Sequence, residues 1–506
     1  TVVTMGNDDG GGDSSSVQSE LQNVQSICSN RGAFAALKSD GTVVTWGYYT
    51  QGGDYQQIVY RSGHPQTRVN VQSQLINVQS IYSTNNCFAA LKSDGSVVVW
   101  GTLGTVEHWD NSSYNIYYNQ NNVPDIDPVG QFIGSGIEKI YAKNEVFVAL
   151  NSYGKAFAWG KKIVGGDLGG IYENNDNDSK IADVSSYLTN GVESVYFNEY
   201  AVAALKSNGS VVTWGNSGYG GDSDSVSSNL TSEVTKIYST DRAFAALKSD
   251  GYVVTWGDSG YGGDSSSVSS NLTSEVTKIY STERAFAALK SDGSVVTWGD
   301  SDYGGDSASV SHKLTSGVQT ISSNNKAFAA VKDDGSVITW GHTDYGGDSA
   351  SIRDHLTSGV QKIYALQKSP TGNTVDRGAF IVSKNNNSII TWGTYIKTIY
   401  GLNITANDNV NFNIELTNVK DIYFTDHAYA ALKDDGSIHT WGDEENHHFL
   451  KNKSYYTNFI NLGGEDVSWD ANGNVKTYYG GDSSSVQSNL HNVKSVYSTE
   501  EAFAAL

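Results

Sequence analysis

The sequence predicts an all-β chain made of about ten small antiparallel sheets in series, and three observations carry that reading. The first is a period: Ala201-Val202-Ala203-Ala204-Leu205 returns as Ala243 to Leu247, Ala285 to Leu289 and Ala327 to Val331, each time 42 residues further on. The second is a constant partner to every copy, a short turn and then an apolar run that closes on Trp-Gly. The third is the apolar rhythm. Small alanines in one run face bulky Val and Trp in the next, and the spacing of three and four residues that a helix needs is missing.

One unit justifies the elements in turn. Val276-Thr277-Lys278-Ile279-Tyr280-Ser281 is a first strand, Ala285-Phe286-Ala287-Ala288-Leu289 a second, and Ser294-Val295-Val296-Thr297-Trp298-Gly299 a third. Between the last two lies Lys290-Ser291-Asp292-Gly293, whose Asp-Gly pair is a hairpin signal because glycine tolerates positive φ. Each unit is thus a sheet of three strands, four at most, which cannot bury both faces alone. The connecting loop is patterned too: Tyr261-Gly262-Gly263-Asp264 leads to Val268 and Leu272, four residues apart. Val226 with Leu230, Val310 with Leu314 and Ile352 with Leu356 repeat that pair. The spacing predicts a single helical turn, N-capped by Asp222, Asp264, Asp306 and Asp348, that pins the loop onto the core.

Further copies run from Ala33 to Gly47, Cys87 to Gly101, Val146 to Gly160, Ala379 to Gly393 and Ala428 to Gly442, giving nine complete copies. The combination of Ala-Phe-Ala-Ala-Leu, Asp-Gly, Val-Val-Thr-Trp-Gly and a Gly-rich loop resembles the RCC1-type (regulator of chromosome condensation) repeat. That resemblance covers nearly the whole chain apart from insertions, and it implies a β-propeller in which each repeat supplies one blade. The Gly-Gly-Asp loop departs from the family's usual Gly-Gln-Leu-Gly, so contacts between blades are expected to differ there.

The copies are read as one continuous array over 1–506, regular at 201–342 and interrupted by insertions at 102–135, 161–190, 394–416 and 443–465. A tenth copy is split, since Ala502 to Leu506 and Thr1 to Gly6 are two halves of one hairpin without its turn. A degenerate eleventh is placed at Val467 to Tyr478. Nine or more copies exceed the usual propeller count of 4 to 8 blades, which leaves three arrangements open. The ends meet in one oversized ring, the chain holds one propeller and part of another, or it is a window from a longer open array whose copies continue head to tail.

Composition narrows the function. With 33 Lys+Arg against 54 Asp+Glu the formal charge is −21, which opposes non-specific attraction to nucleic acid or an anionic membrane leaflet. No apolar run approaches the length of a membrane span, and two cysteines make no disulfide framework. Cys28 and Cys87 occupy different repeat positions and are read as buried free thiols.

Candidate residues obey the repeat. Trp46, Trp100, Trp159, Trp214, Trp256, Trp298, Trp340, Trp392 and Trp441 share one strand position, which places them in the core with the indole N–H on a fixed backbone partner, not on a sugar-binding surface. Trp109, Tyr114, Tyr117 and Tyr118 fall in an irregular insertion and form a candidate contact loop. Asp13, Asp54, Asp167, Asp222, Asp264, Asp306, Asp348 and Asp482 sit in Gly-rich turns at one acid per unit, a spacing that fits turn formation better than calcium binding. Asp443-Glu444-Glu445-Asn446-His447-His448 lacks a third zinc ligand at recognised spacing. No nucleophile elbow or phosphate-binding loop occurs, so no catalytic residue, metal or cofactor is assigned and no enzymatic activity is expected.

Three classes of function remain. The first is a structural scaffold, a segment of an extracellular filament or surface appendage, that joins copies of itself through free strand edges, Ala502, Phe503 and Leu506 of one copy beside Val2, Val3 and Met5 of the next. The second is a surface adhesin that binds glycan through the insertions. The third, which the resemblance implies, is an intracellular propeller that binds a protein such as a small GTPase, although no partner-binding residue of the family can be matched here.

Overall fold

The computed structural model describes residues 2–59, 67–103, 131–132, 136–160, 165, 168, 171–172, 184–366, 378–385, 389–393, 419–424, 428–442, 490, 492–499 and 502–506. Among them are ten antiparallel sheets. Each has an inner, a middle and an outer strand, as in Val276–Ser281, Ala285–Lys290 and Val295–Gly299. The architecture is a succession of small blade-like sheets, as expected from the repeat. In this unit the middle strand reads Ala-Phe-Ala-Ala-Leu and is buried on both faces, its small alanines letting the neighbouring sheets approach closely. Its register with the outer strand sets Phe286 opposite Trp298, and the two rings stack with centroids 5.2 Å apart.

The hairpin forms as its sequence dictates. Gly293 N–H donates to Lys290 O, Lys290 N–H donates to Ser294 O, and Gly293 takes a φ of 77°. The Asp292 carboxylate accepts from both the N–H and the hydroxyl of Ser294, and those bonds hold its carboxyl below the usual range. The connecting loop has two short 3₁₀ segments, Ser259–Tyr261 and Ser266–Asn271 in one unit. Here the expected N-cap shifts. Ser265 occupies the N-cap position without a side-chain cap bond, while Asp264, one place earlier, accepts from Ser266 N–H at 2.8 Å. Asp222, Asp306 and Asp348 do the same two residues ahead of Asp224, Ala308 and Ala350. An Asp can close such a turn without being the cap, and the tighter 3₁₀ turn leaves the first helical N–H within its reach. Leu272 then plugs the core, and its carbonyl accepts from Val253 N–H on the preceding outer strand.

Neighbouring sheets share their cores. Nine clusters of buried residues join the ten sheets in series, from sheet 419–442 through the sheet built from both termini and on to sheet 360–393. Two sheets gain parallel outer strands, Gln56–Val59 on Val97–Leu103 and Ile171–Tyr172 on Val211–Asn216.

The termini correct one expectation. Val3–Gly6 pairs antiparallel with Ala502–Ala505 of the same chain, Val3 opposite Ala505 and Gly6 opposite Ala502. Val2, Met5 and Phe503 are buried, and Leu506 N–H donates to Ser495 O. The edges proposed for head-to-tail assembly are therefore taken up within one chain, because the split hairpin buries the same apolar faces as an intact one. The eleventh copy at Val467 to Tyr478 lies outside the described residues.

Candidate interaction face

The two ends of each sheet differ. At one end lie the hairpins between middle and outer strands, and in eight of them, six with Asp-Gly and two with Tyr153-Gly154 and Asn208-Gly209, the same bond closes a three-residue loop, from Lys38 N–H to Thr42 O through to Lys433 N–H to Ser437 O. At the other end lie both the turn between inner and middle strands and the long connection to the next sheet. Backbone bonds tie neighbouring units at the hairpin end, as where Val276 N–H donates to Gly251 O, and the loop end adds a second set of ties.

Three sets of contacts build it. A Thr or Asn in the inner turn reaches the loop of its own unit: Thr240 Oγ1 donates to Tyr261 O at 2.9 Å, Thr282 Oγ1 to Tyr303 O at 2.9 Å and Asn324 Nδ2 to Tyr345 O at 2.7 Å. The Gly-Gly-Asp loop then covers the next unit, whose tryptophan Nε1–H donates to a glycine carbonyl. Trp298 bonds Gly262 O at 3.0 Å, Trp340 bonds Gly304 O at 3.1 Å, and Trp46, Trp100, Trp214, Trp256 and Trp392 bond the equivalent glycine. Finally, the inner turns join backbone to backbone. Glu199 N–H donates to Asp241 O, Asp241 N–H to Glu283 O and Glu283 N–H to Asn325 O, at 2.9–3.0 Å.

Those turns set carboxylates side by side. Burial, then the neighbouring Glu199 and Glu283 charges, push the Asp241 carboxyl up to about 8, against the opposing pull of Lys143 and Arg284. Glu283 also accepts from Asn325 Nδ2 at 2.6 Å.

Beside this row runs a ladder of cations and tyrosines across four units. The Arg242 guanidinium lies 4.7 Å from the rings of both Tyr219 and Tyr261, Arg284 lies 4.8 Å from Tyr261 and 4.6 Å from Tyr303, and the Lys326 ammonium lies 5.2 Å from Tyr303 and 4.7 Å from Tyr345. Arg284 also meets Asp300 at 3.7 Å. Each such contact stabilises a seam by roughly 0.5–1 kcal/mol at this exposure. The sequence reading missed the ladder. Its signal was available, because Arg242, Arg284 and Lys326 stand 42 residues apart, each just before the Ala of a middle strand.

The remaining candidates have simpler settings. Trp159 is buried and stacks on Phe147, and Trp441 lies on strand Ile438–Gly442. Asp13 and Asp54 accept from the N–H groups of Ser15 and Gln56. Cys28 and Cys87 are free thiols, and burial pushes Cys28 up to about 11 and Cys87 further. Among the described residues there is no group of three metal-ligating side chains and no helix long and apolar enough to cross a membrane. Trp109, Tyr114, Tyr117, Tyr118, Asp167, Asp482 and the cluster Asp443 to His448 lie outside the described residues.

No protein-family model matches the chain, and no curated protein matches it. Solved structures do. Prp20p from Saccharomyces cerevisiae, described with its binding to Gsp1p and histones, is 14% identical over 62% of this chain and 82% of that one, with a TM-score of 0.32. The computationally designed Ika8 protein is 13% identical over 72% of this chain and 96% of that one, with a TM-score of 0.29. Human WBSCR16 is 15% identical over 73% of this chain and 87% of that one, with a TM-score of 0.30. These superpositions are partial, and the resemblance to RCC1-type repeats rests on the sequence repeat and the small sheets it builds.

Proposed function

We propose that the chain is a non-enzymatic scaffold that binds a protein partner through the loop end of its sheets. One observation carries this reading: the variable segments leave the sheets at that end. The insertions 102–135, 161–190, 394–416 and 443–465 all come after an outer strand, and 367–378 separates an inner strand from its middle strand, so all five leave the sheets at the loop end. The eight hairpins at the opposite end keep one loop length. A regular scaffold with variable loops on one side is the usual plan of a recognition protein. The half-buried tyrosines and arginines of the ladder match the composition of protein interfaces, where Tyr and Arg are enriched among the residues that carry the binding energy.

The self-assembling filament is not part of this proposal in its strand-edge form, since those edges pair within the chain. A glycan site on the ladder is disfavoured for another reason, since cations flank the tyrosine faces that a sugar would stack on. The test is loop replacement. Substituting each insertion in turn by the regular linker of residues 258–275 should abolish binding of a partner found by crosslinking for one or two insertions, with the melting temperature unchanged. Partner binding that survives all the replacements and falls instead with changes to the hairpin end would overturn the proposal.

A further inference from the structure

In an acidic chain, four neighbouring strands carry no acid within their own length. The inner strands Val234–Ser239, Val276–Ser281, Val318–Ser323 and Val360–Leu366 belong to four consecutive sheets and carry Lys236, Lys278 and Lys362 but neither Asp nor Glu. They lie side by side. Ser281 Oγ donates to Ser239 O at 2.7 Å, and Ser323 Oγ donates to Ser281 O at 2.6 Å.

The three lysines are exposed, and each lies over the ring of the tyrosine two residues further on, at 5.2 Å for Lys236 on Tyr238, 4.6 Å for Lys278 on Tyr280 and 4.4 Å for Lys362 on Tyr364. The rings are held in turn by the next strand, where the Tyr280 hydroxyl lies 3.4 Å from Thr320 Oγ1. Among the described residues no ion pair joins Lys236 or Lys278 to a carboxylate, whereas Lys248 and Lys290, on the middle strands, meet Glu233 and Glu275 at 3.3 Å. An ammonium resting on a ring keeps its remaining N–H groups turned to solvent and gains little from the ring alone.

The geometry points to a docking surface for an acidic polypeptide segment, laid across the inner strands of these sheets with its carboxylates on Lys236 and Lys278. Charge complementarity selects an anionic partner. The occupied tyrosine faces select among anions: bases and sugar rings bind by stacking on open aromatic faces, and here the lysines cover them, whereas a carboxylate needs only N–H donors. This docking surface invokes no residue of the loop insertions, so it is tested independently of the loop-end reading.

A fluorescent oligoglutamate peptide titrated onto the full chain tests it by anisotropy. Binding should weaken several-fold between about 50 and 200 mM salt as screening sets in. The double variant Lys236→Gln/Lys278→Gln should lose ~10-fold in affinity, about 1.4 kcal/mol. Lys236→Arg/Lys278→Arg should retain binding, and Lys248→Gln/Lys290→Gln, which removes the same charge from the middle strands, should leave it unchanged. No peptide binding, an equal loss in both Gln pairs, or tighter binding of a heparin fragment or single-stranded DNA than of the peptide would each overturn the proposal. Replacing the insertions should not alter peptide binding, which separates this surface from the loop end.

Discussion

Sheet 276–299 and the sheet built from the two termini solve one problem with different covalent means. In the first, a three-residue loop joins the middle and outer strands. In the second, the same two strands come from opposite ends of the chain, yet Ala502, Phe503, Ala504 and Ala505 face Gly6, Met5, Thr4 and Val3 in the register that Ala285 to Ala288 keep with Gly299 to Val296. The polar ties recur as well. Thr4 Oγ1 meets Ser14 Oγ at 3.0 Å as Thr297 meets Ser307, and Thr499 Oγ1 donates to Gly10 O at 3.1 Å as Thr282 does to Tyr303 O. Register is thus fixed by the seams between sheets, and the Asp-Gly turn is dispensable for it. What the missing turn changes is entropy, because the pairing must close a loop of nearly the whole chain.

Deleting residues 1–6 is the sharpest way to break the comparison. It removes an entire strand, exposes the edge of Ala502–Ala505 and uncovers the cluster that Met5 shares with Leu432, Ile438 and Phe503. Amide exchange at 502–505 should rise to that of a frayed end while 285–289 stays protected, and the open edge should cause concentration-dependent association. Unchanged protection at 502–505 would mean that the terminal pairing does not exist in solution.

A matched pair of core truncations comes next. Phe286 and Phe503 are both fully buried, and Phe→Ala in such sites costs about 3–5 kcal/mol. Phe503→Ala should separate the terminal strands altogether, since no turn holds them, whereas Phe286→Ala should leave its hairpin paired and loosen only the seams on either side. Hydrogen exchange on both variants separates these outcomes. Equal loss of strand pairing in the two would remove the distinction.

Glycine at the loop end should act more mildly and alike in both regions. Gly262 has a φ of 88°, and a Cβ there would lie 2.7 Å from Phe286 Cδ2; Gly11 has a φ of 93° and would meet Phe34 Cδ2 at the same distance. Alanine at either position should cost roughly 1–3 kcal/mol, from left-handed strain and displacement of the ring. A lowered melting temperature should accompany a red-shifted tryptophan spectrum, since Gly262 O holds the indole of Trp298 and Gly11 O that of Trp46.

The sequence makes the units legible because each repeats a local rule: Asp-Gly for the hairpin, alanines for close packing, Trp-Gly for the end of the outer strand. Relations between units are harder to read. Arg242 and Arg284 stand in phase, but their stacking on Tyr261 can be inferred only once the loop of one unit is known to lie over the next. The misplaced cap has a local cause, since Asp264 bonds the N–H two residues on whether it caps a helix or closes a turn before one. Whether Val3–Gly6 pairs within its own chain is a further step, since the same apolar pattern would suit a neighbouring copy equally well.

The smallest effect lies in the inner turns, where the regular units carry a row of carboxylates that sheet 318–341 relieves with Asn325. Asp241 titrates at about 8 in the folded chain because burial and then Glu199 and Glu283 oppose its charge. An unfolded chain releases that proton near pH ~4, so between about pH 4 and 8 the folded state binds more protons than the unfolded one, and stability must fall as pH rises through this window. Asp241→Asn keeps the shape of the protonated acid and cannot ionise. The variant should melt with the wild type near pH ~4 and a few degrees above it by pH ~8, the difference opening through the window. Glu283→Gln should lower the pH at which the wild-type decline levels off, because it removes one of the two charges that hold the proton on Asp241. If both variants track the wild-type curve at every pH, the inner turns are too well solvated to repel one another, and the backbone bonds between them hold the seam without electrostatic opposition.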